Sequence, residues 1–138
     1  MLLRLPDSTQ GNHIIPLPDC GKQPAEKEKV YIAGLGPSTP DSDESSKTLQ
    51  CADLTVFPCK VGDAHPEPKK YMFCGKTLQG QTPQVKICDG DSGGGVEYNG
   101  KIYGVIRSSE EPDLCYPEAG FLKVCEYIDW INKIITKK

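Results

Sequence analysis

The sequence predicts an all-β domain that ends in a single α-helix. Glycine (14 residues) and proline (12 residues) are frequent for a chain of 138 residues, whereas aromatic residues make up only 7%. This composition is typical of a loop-rich β domain rather than a helical one. Short apolar segments recur between turn residues, and this spacing indicates a β-barrel or a β-sandwich. The last segment follows a helical periodicity instead.

The candidate strands follow one another along most of the chain. Residues 1–5, MLLRL, are a predicted apolar strand, and residues 6–28 form a proline-rich surface connector. Residues 37–47, PSTPDSDESSK, are predicted to be an exposed loop because they are polar and lack apolar residues. An Asn-Gly pair at residues 99–100 predicts a tight hairpin between two strands. The remaining apolar segments lie at 30–33, 48–57, 71–74, 94–98, 101–107 and 119–124.

The C-terminal segment places five apolar residues at helical spacing. They share one face of a helix predicted over about residues 125–135 and are Tyr127, Ile128, Ile131, Ile134 and Ile135. This pattern indicates an amphipathic helix. Binding to a membrane surface is a weaker interpretation, because the helix is short and has few basic residues.

Charge and hydropathy exclude several classes of function. The net charge is −3, the pI is about 5.4, and no long Lys/Arg block is present, so we predict no nucleic-acid partner. No apolar run of about 18 residues occurs, so we predict no membrane span. The N-terminus is interrupted by Arg4 and Pro6, and we therefore predict no signal peptide in this chain.

Seven cysteines make the chain cysteine-rich. No CxxC pair is present, so a zinc site is a poor interpretation, and we predict neither a metal nor a cofactor. A disulfide framework is the better one, and it indicates an oxidising compartment. The odd number requires one cysteine to be free, to pair between chains, or to have lost its partner. Together with the missing signal peptide, it leads us to expect a truncated N-terminus.

The segment CDGDSGGG at residues 88–95 carries the candidate chemistry. Acyl transfer from a serine needs a hydroxyl on a tight backbone turn and N–H donors aimed at the developing oxyanion. Glycines around Ser92 permit both, because they adopt unusual backbone angles and allow close approach. The alternatives are a glycine-rich surface loop or the nucleophile elbow of an α/β-hydrolase. The elbow requires alternating strands and helices, which the apolar pattern does not show.

This motif resembles the serine signature of trypsin/chymotrypsin-like proteases, and the resemblance extends over essentially the whole chain. It includes MLLRL at residues 1–5, IAGLG at 32–36, YMFC at 71–74, and AGFLKVC at 119–125 followed by YIDWI. It implies an antiparallel Greek-key six-stranded barrel with a C-terminal α-helix, the second barrel of the trypsin-like fold. Residues 29–138 would form this barrel. Residues 1–28 would be a remnant of the first barrel and the connector between the barrels.

The resemblance also implies a disulfide pattern. Cys59 would pair with Cys74, Cys88 with Cys115, and Cys20 with Cys125, which leaves Cys51 unpaired. The family partner of Cys51 lies upstream of the matching segments. A further family disulfide would use the positions that Val30 and Tyr98 occupy here.

Site roles follow from the resemblance residue by residue. Ser92 would be the nucleophile, and the N–H groups of Gly90 and Ser92 would form the oxyanion hole. Asp91 would accept the ammonium group of a processed N-terminus. The predicted substrate pocket and the adjoining substrate-pairing strand comprise Lys86, Arg107, Ser108, Ser109 and Gly120.

The catalytic histidine and aspartate of the family precede the segment that MLLRL resembles. The chain contains two histidines, His13 in the connector and His65 in a Pro/Lys-rich loop, and both are predicted to be surface residues. A serine hydroxyl without a base is a weak nucleophile. We therefore expect this chain alone to be inactive.

Four further positions, at and around the candidate site, depart from the family pattern. Lys86 stands where trypsin-like members have aspartate, Arg107 replaces a small serine, Ser108 replaces a tryptophan, and Gly95 replaces a proline. A lysine at the base of the pocket would favour acidic side chains or block the pocket. Drift after loss of activity is the alternative interpretation.

Three hypotheses about function follow. The first is a serine endopeptidase domain, present as a C-terminal half, that acts on a polypeptide substrate together with the missing N-terminal half. The second is an inactive protease homologue that binds a protein partner, and the third is a truncated gene model or splice form. For the full-length parent we predict a secreted protein or one stored in secretory granules.

Overall fold

The computed structural model describes residues 1–5, 14–37, 44–59, 68–80, 84–107 and 115–136. The middle of the predicted loop, at 38–43, and the residues His13, His65, Ser108 and Ser109 lie outside these ranges. The strands are β1 (Lys29–Gly34), β2 (Gln50–Phe57), β3 (Met72–Lys76), β4 (Ile87–Cys88), β5 (Gly95–Tyr98), β6 (Lys101–Arg107), β7 (Cys115–Tyr116) and β8 (Glu118–Lys123). Two short α-helices are described beside them, α1 (Pro68–Tyr71) and α2 (Ile128–Ile135).

Six of these strands close into an antiparallel barrel in the order β1-β2-β3-β8-β6-β5. Closure occurs where β5 returns to β1, with Tyr31 opposite Glu97 and Ile32 opposite Val96. The last strand, β8, lies between β3 and β6, so the order in space departs from the order in sequence. The predicted six-stranded antiparallel barrel with a C-terminal helix is confirmed, and the sandwich alternative is wrong.

The barrel interior is filled by alternate residues of the strands. In β1, Val30 and Ile32 are buried whereas Lys29 and Tyr31 are exposed, as expected for side chains that alternate between two faces. Phe121 of β8 is 0% exposed, and its ring centroid lies 5.1 Å from that of Phe73. Burial of such rings is the main source of stability for a small barrel.

The predicted hairpin at residues 99–100 joins β5 to β6. Asn99 has φ 49° and Gly100 has φ 75°. Positive φ at both central residues characterises the turn whose twist matches the two flanking strands. This hairpin prediction is confirmed.

Two local predictions need correction. Residues 1–5 form no strand, and all five are exposed. A strand requires a neighbour for its backbone hydrogen bonds, and no strand of the described residues pairs with this segment. The predicted helix at about 125–135 begins instead as a 3₁₀ turn over Val124–Tyr127, and only Ile128–Ile135 is α-helical.

Helix α2 is only partly buried. None of its residues is fully buried, and Trp130, Ile134 and Ile135 are 44%, 43% and 58% exposed. Two other residues of this face, Ile128 and Ile131, are half-buried. None of the described helices is long and apolar enough to cross a membrane.

The three disulfides implied by the resemblance are all present. The Cα atoms are 5.6 Å apart in Cys20–Cys125, 5.1 Å in Cys59–Cys74 and 3.9 Å in Cys88–Cys115. The last value is below the usual range of about 4.4–6.8 Å, and these two cysteines face each other across the β4–β7 pair. Cys51 is free and exposed, as predicted.

Tyr98 occupies one of the two positions for which the resemblance implies a further family disulfide. Its ring lies 5.6 Å from that of Tyr103 in an edge-to-face arrangement. A hydrogen bond from Tyr98 lowers the pKa of Glu28, and the same bond raises the pKa of Tyr98. The other position, Val30, is 0% exposed in the core. At its position, Tyr98 therefore makes an aromatic contact with Tyr103 and a hydrogen bond with Glu28.

Candidate active site

The serine turn lies between β4 and β5 and is closed by backbone hydrogen bonds. The N–H of Asp91 donates to the carbonyl of Cys88 (3.1 Å), and the N–H of Gly94 donates to the carbonyl of Asp91 (3.0 Å). Gly90 and Gly93 have φ +100° and +90°, values that L side chains rarely adopt. Any other residue at these two positions would therefore strain the backbone.

Strand β6 anchors the far side of this turn. The N–H of Gly93 donates to the carbonyl of Ile106 (2.9 Å), and the N–H of Ile106 donates to the carbonyl of Gly94 (2.8 Å). Ser92 lies between Gly90 and Gly93 and is exposed. This arrangement presents the serine at the surface on a turn that is bonded to the barrel.

The carboxylate of Asp91 points inward and is bonded to backbone amides. Its Oδ1 accepts a hydrogen bond from the N–H of Gly36 (2.8 Å), and its Oδ2 accepts one from the N–H of Cys88 (3.0 Å). The sequence did not predict these partners, because it showed residues 32–36 only as a segment that resembles the family. The proposed bond to a processed N-terminal ammonium stays a prediction.

A cleft of about 360 Å³ opens beside this carboxylate. Its lining includes Lys86, Cys51 and Asp91, which come from three separate segments of the chain. Lys86 is exposed there. The volume is within the range of small-ligand sites, about 300–1,000 Å³.

The other predicted pocket residues lie at the ends of β6 and β8. Arg107 pairs with Gly120 in the strand register, and its Nη1 contacts the sulfur of Met72 at 3.7 Å. A Cβ atom at Gly120 would meet the terminal methyl group of Met72 at 2.7 Å, so a side chain at this position would require the flexible Met72 side chain to move. The structure thus brings Arg107 and Gly120 together, and it places Lys86 in the cleft beside Asp91. Their assignment to one substrate pocket stays a prediction.

The described ranges contain no group of three or more His, Cys, Asp or Glu residues arranged to hold a metal ion. The candidate site consists of one exposed serine, a glycine-rich turn and a carboxylate that points inward. Both histidines of the chain lie outside the described residues, so the described part of the chain places no histidine beside Ser92.

Comparison with known proteins adds a family match. The family model described as Trypsin matches residues 1–131. The chain is 32% identical to human kallikrein-8, in an alignment that covers 100% of this chain and 53% of kallikrein-8. It is 34% identical to snake venom serine proteinase 14 of Crotalus adamanteus, with coverages of 99% and 54%. The chain spans about half the length of these curated relatives.

Solved structures with the same architecture include the following two. A mutant of human heparin binding protein superposes with a TM-score of 0.74 at 22% identity, over 97% of this chain and 55% of that one. The scabies mite inactivated protease paralogue S-D1 superposes with a TM-score of 0.69 at 25% identity, over 99% and 58%. The first likeness supports the fold alone.

Proposed function

Because this chain belongs to the trypsin family, we propose that it carries the serine half of a serine-type endopeptidase site that cleaves polypeptides through an acyl-enzyme. One observation carries this proposal: Ser92 is exposed on a turn whose backbone is bonded on both sides and whose neighbour Asp91 is held inward. A nucleophile needs such a fixed backbone, because acyl transfer depends on the position of the hydroxyl relative to the oxyanion donors.

The proposed reaction assigns one role to each part of the turn. The Oγ of Ser92 attacks the carbonyl carbon of the scissile peptide bond while its proton passes to a base. The N–H groups of Gly90 and Ser92 donate hydrogen bonds to the oxyanion. The intermediate then collapses as the base returns the proton to the leaving amine, and water hydrolyses the ester that remains on Ser92.

In this proposal, residues 1–138 do not supply the catalytic base or the carboxylate that orients it. The family places both before the segment that MLLRL resembles. We propose that they come from a histidine and an aspartate outside these residues, in a protein of the relatives' length. On their own, residues 1–138 would bind and react slowly, because general-base assistance contributes about 10²–10⁴-fold.

A second function, a binding module without proteolytic activity, is favoured by a specific observation. Lys86 and Arg107 replace residues that shape the family's substrate pocket, and the exposed Lys86 brings a cation into the cleft beside Asp91. One structural neighbour at 25% identity is an inactivated protease paralogue. In this alternative, the surface of the barrel would recognise a protein partner.

We propose that the parent protein is secreted or stored in secretory granules. Three disulfides in 138 residues support it, because such cross-links persist in oxidising compartments. Several relatives are venom proteases.

Chemical rescue distinguishes the two functions. The purified chain is incubated with a fluorophosphonate probe, with and without free imidazole as a substitute base. If the oxyanion hole is formed, the probe should label Ser92 faster when imidazole is present. The increase in labelling rate should be smaller than the roughly 10²–10⁴-fold that a positioned base supplies.

The matched control is Ser92→Ala, which should abolish the imidazole-dependent labelling. Ser45→Ala, at an exposed serine of another loop, should leave it unchanged. Labelling that does not depend on Ser92, or that imidazole does not accelerate, would favour the binding module.

A further inference from the structure

The end of β1 forms a receptor for the carboxylate of Asp91. We call residues 34–36, with a glycine at each end, the glycine corner. The N–H of Gly36 donates to Oδ1 of Asp91 at 2.8 Å, while the N–H of Cys88 donates to Oδ2 at 3.0 Å. Each carboxylate oxygen therefore has a backbone donor, and bonds from N–H groups to a charged acceptor are stronger than neutral ones.

The corner has no space for side chains. A Cβ atom at Gly34 would lie 2.0 Å from Oδ1 of Asp91 and 3.3 Å from its Cβ. A Cβ atom at Gly36 would lie 2.6 Å from Oδ1 and 2.7 Å from Oδ2. Rotating the carboxylate away would relieve these contacts only by breaking its bonds to both amides. The two glycines are therefore required by the carboxylate, not by a turn with positive φ.

The position of this carboxylate also sets the position of the serine turn. Asp91 is bonded through its side chain to the corner and through its backbone to Cys88 and Gly94. Gly90 and Ser92, the proposed oxyanion donors, are its immediate neighbours in sequence. A shift of Asp91 therefore moves both donors, and displacements of about 1 Å in such groups impair catalysis strongly.

We propose that Gly34 and Gly36 are positioning residues of the serine site. They receive the Asp91 carboxylate and hold the serine turn in place through the chain's own amides. This inference rests on the proposed function, since it concerns the turn that would carry the nucleophile. The corner itself is held by a bond from the N–H of Ser46 to the carbonyl of Leu35 at 2.9 Å.

A double-mutant cycle tests the steric part of this proposal. Gly34→Ala, Asp91→Ala and the double variant are compared with the parent chain by urea unfolding. Gly34→Ala alone should lower the ratio of folded to unfolded protein by roughly 5- to 30-fold or more. In the Asp91→Ala background the same change should have a much smaller effect, because the carboxylate is gone and only the Cβ atom of residue 91, at 3.3 Å, remains close to the added methyl group.

Gly75→Ala is the matched control, because Gly75 is also sterically required but meets Phe121 and Leu54 in the core. Its effect should be the same in the parent chain and in the Asp91→Ala background, as expected for independent sites. Should Gly34→Ala fail to fold, recovery of folding in the double variant would support the proposal. Failure of both, or additive effects at Gly34 and Asp91, would overturn it.

The amide resonances of the serine turn report positioning directly. In the ¹H–¹⁵N spectrum, Gly34→Ala and Gly36→Ala should shift the signals of Gly90 and Ser92, whereas Gly75→Ala should not. Unchanged signals in both corner variants would overturn the positioning role. These measurements need no catalytic turnover, so their outcome is separate from that of the imidazole experiment.

Discussion

Removing the Cys20–Cys125 disulfide should destabilise the chain more than removing Cys59–Cys74. The first bond joins the connector to the 3₁₀ turn before α2, at a sequence separation of 105 residues. The second closes a separation of only 15 residues. Replacing both partners of one disulfide by serine creates each variant, and Cys51→Ser in every background prevents exchange with the free thiol.

The expected magnitudes follow from the loops that the bonds close. Cross-linking mainly restricts the unfolded chain, and the entropy that it removes grows with the logarithm of loop length. A separation of 105 residues corresponds to about 4.8 kcal/mol and one of 15 residues to about 3.0 kcal/mol. At a urea slope of about 2 kcal/mol/M, the two variants should differ by roughly 1 M in midpoint.

Two probes measure the unfolding. Circular dichroism reports the barrel strands, and fluorescence reports Trp130, the single tryptophan, which lies on α2. In the variant without Cys20–Cys125, the Trp130 transition should occur at lower urea than the loss of strand signal, because α2 has no buried residue to hold it. In the variant without Cys59–Cys74 the order of the two transitions should not change.

A higher urea midpoint for the variant without Cys20–Cys125 than for the variant without Cys59–Cys74 would refute this reasoning. It would mean that native contacts, rather than the loop closed in the unfolded chain, determine the contribution of each bond.

Two further predictions concern the barrel. Phe121→Ala should lower the free energy of unfolding by about 3–5 kcal/mol, because the ring is 0% exposed, whereas the control Leu49→Ala, at a residue 60% exposed, should change it by less than about 0.5 kcal/mol in urea unfolding. Tyr98→Phe should destabilise the chain above pH 4.5 but progressively less below it, because the hydrogen bond from Tyr98 lowers the pKa of Glu28 below 4.5 and is lost as Glu28 becomes protonated. A difference between parent and Tyr98→Phe that does not shrink in acid would contradict this second expectation.

Local features of the sequence determined much of the barrel and the core of the site. The Asn99-Gly100 hairpin was predictable because the two residues alone select the turn. The alternation of β1 was predictable because successive side chains point to opposite faces. The serine turn was recognisable because residues 88–95 contain its cysteine, its glycines and Ser92 in one short segment.

The tertiary structure decided the features that depend on distant residues. Asp91 and Gly36 are 55 residues apart, so the carboxylate receptor exists only when β1 is in place in the barrel. Strands β4 and β7 have two residues each and no periodicity that a sequence could reveal. The strand predicted at residues 1–5 is absent for a physical reason. A strand or an amphipathic helix is stable in that form only against a partner surface, and the apolar pattern does not specify where that surface is.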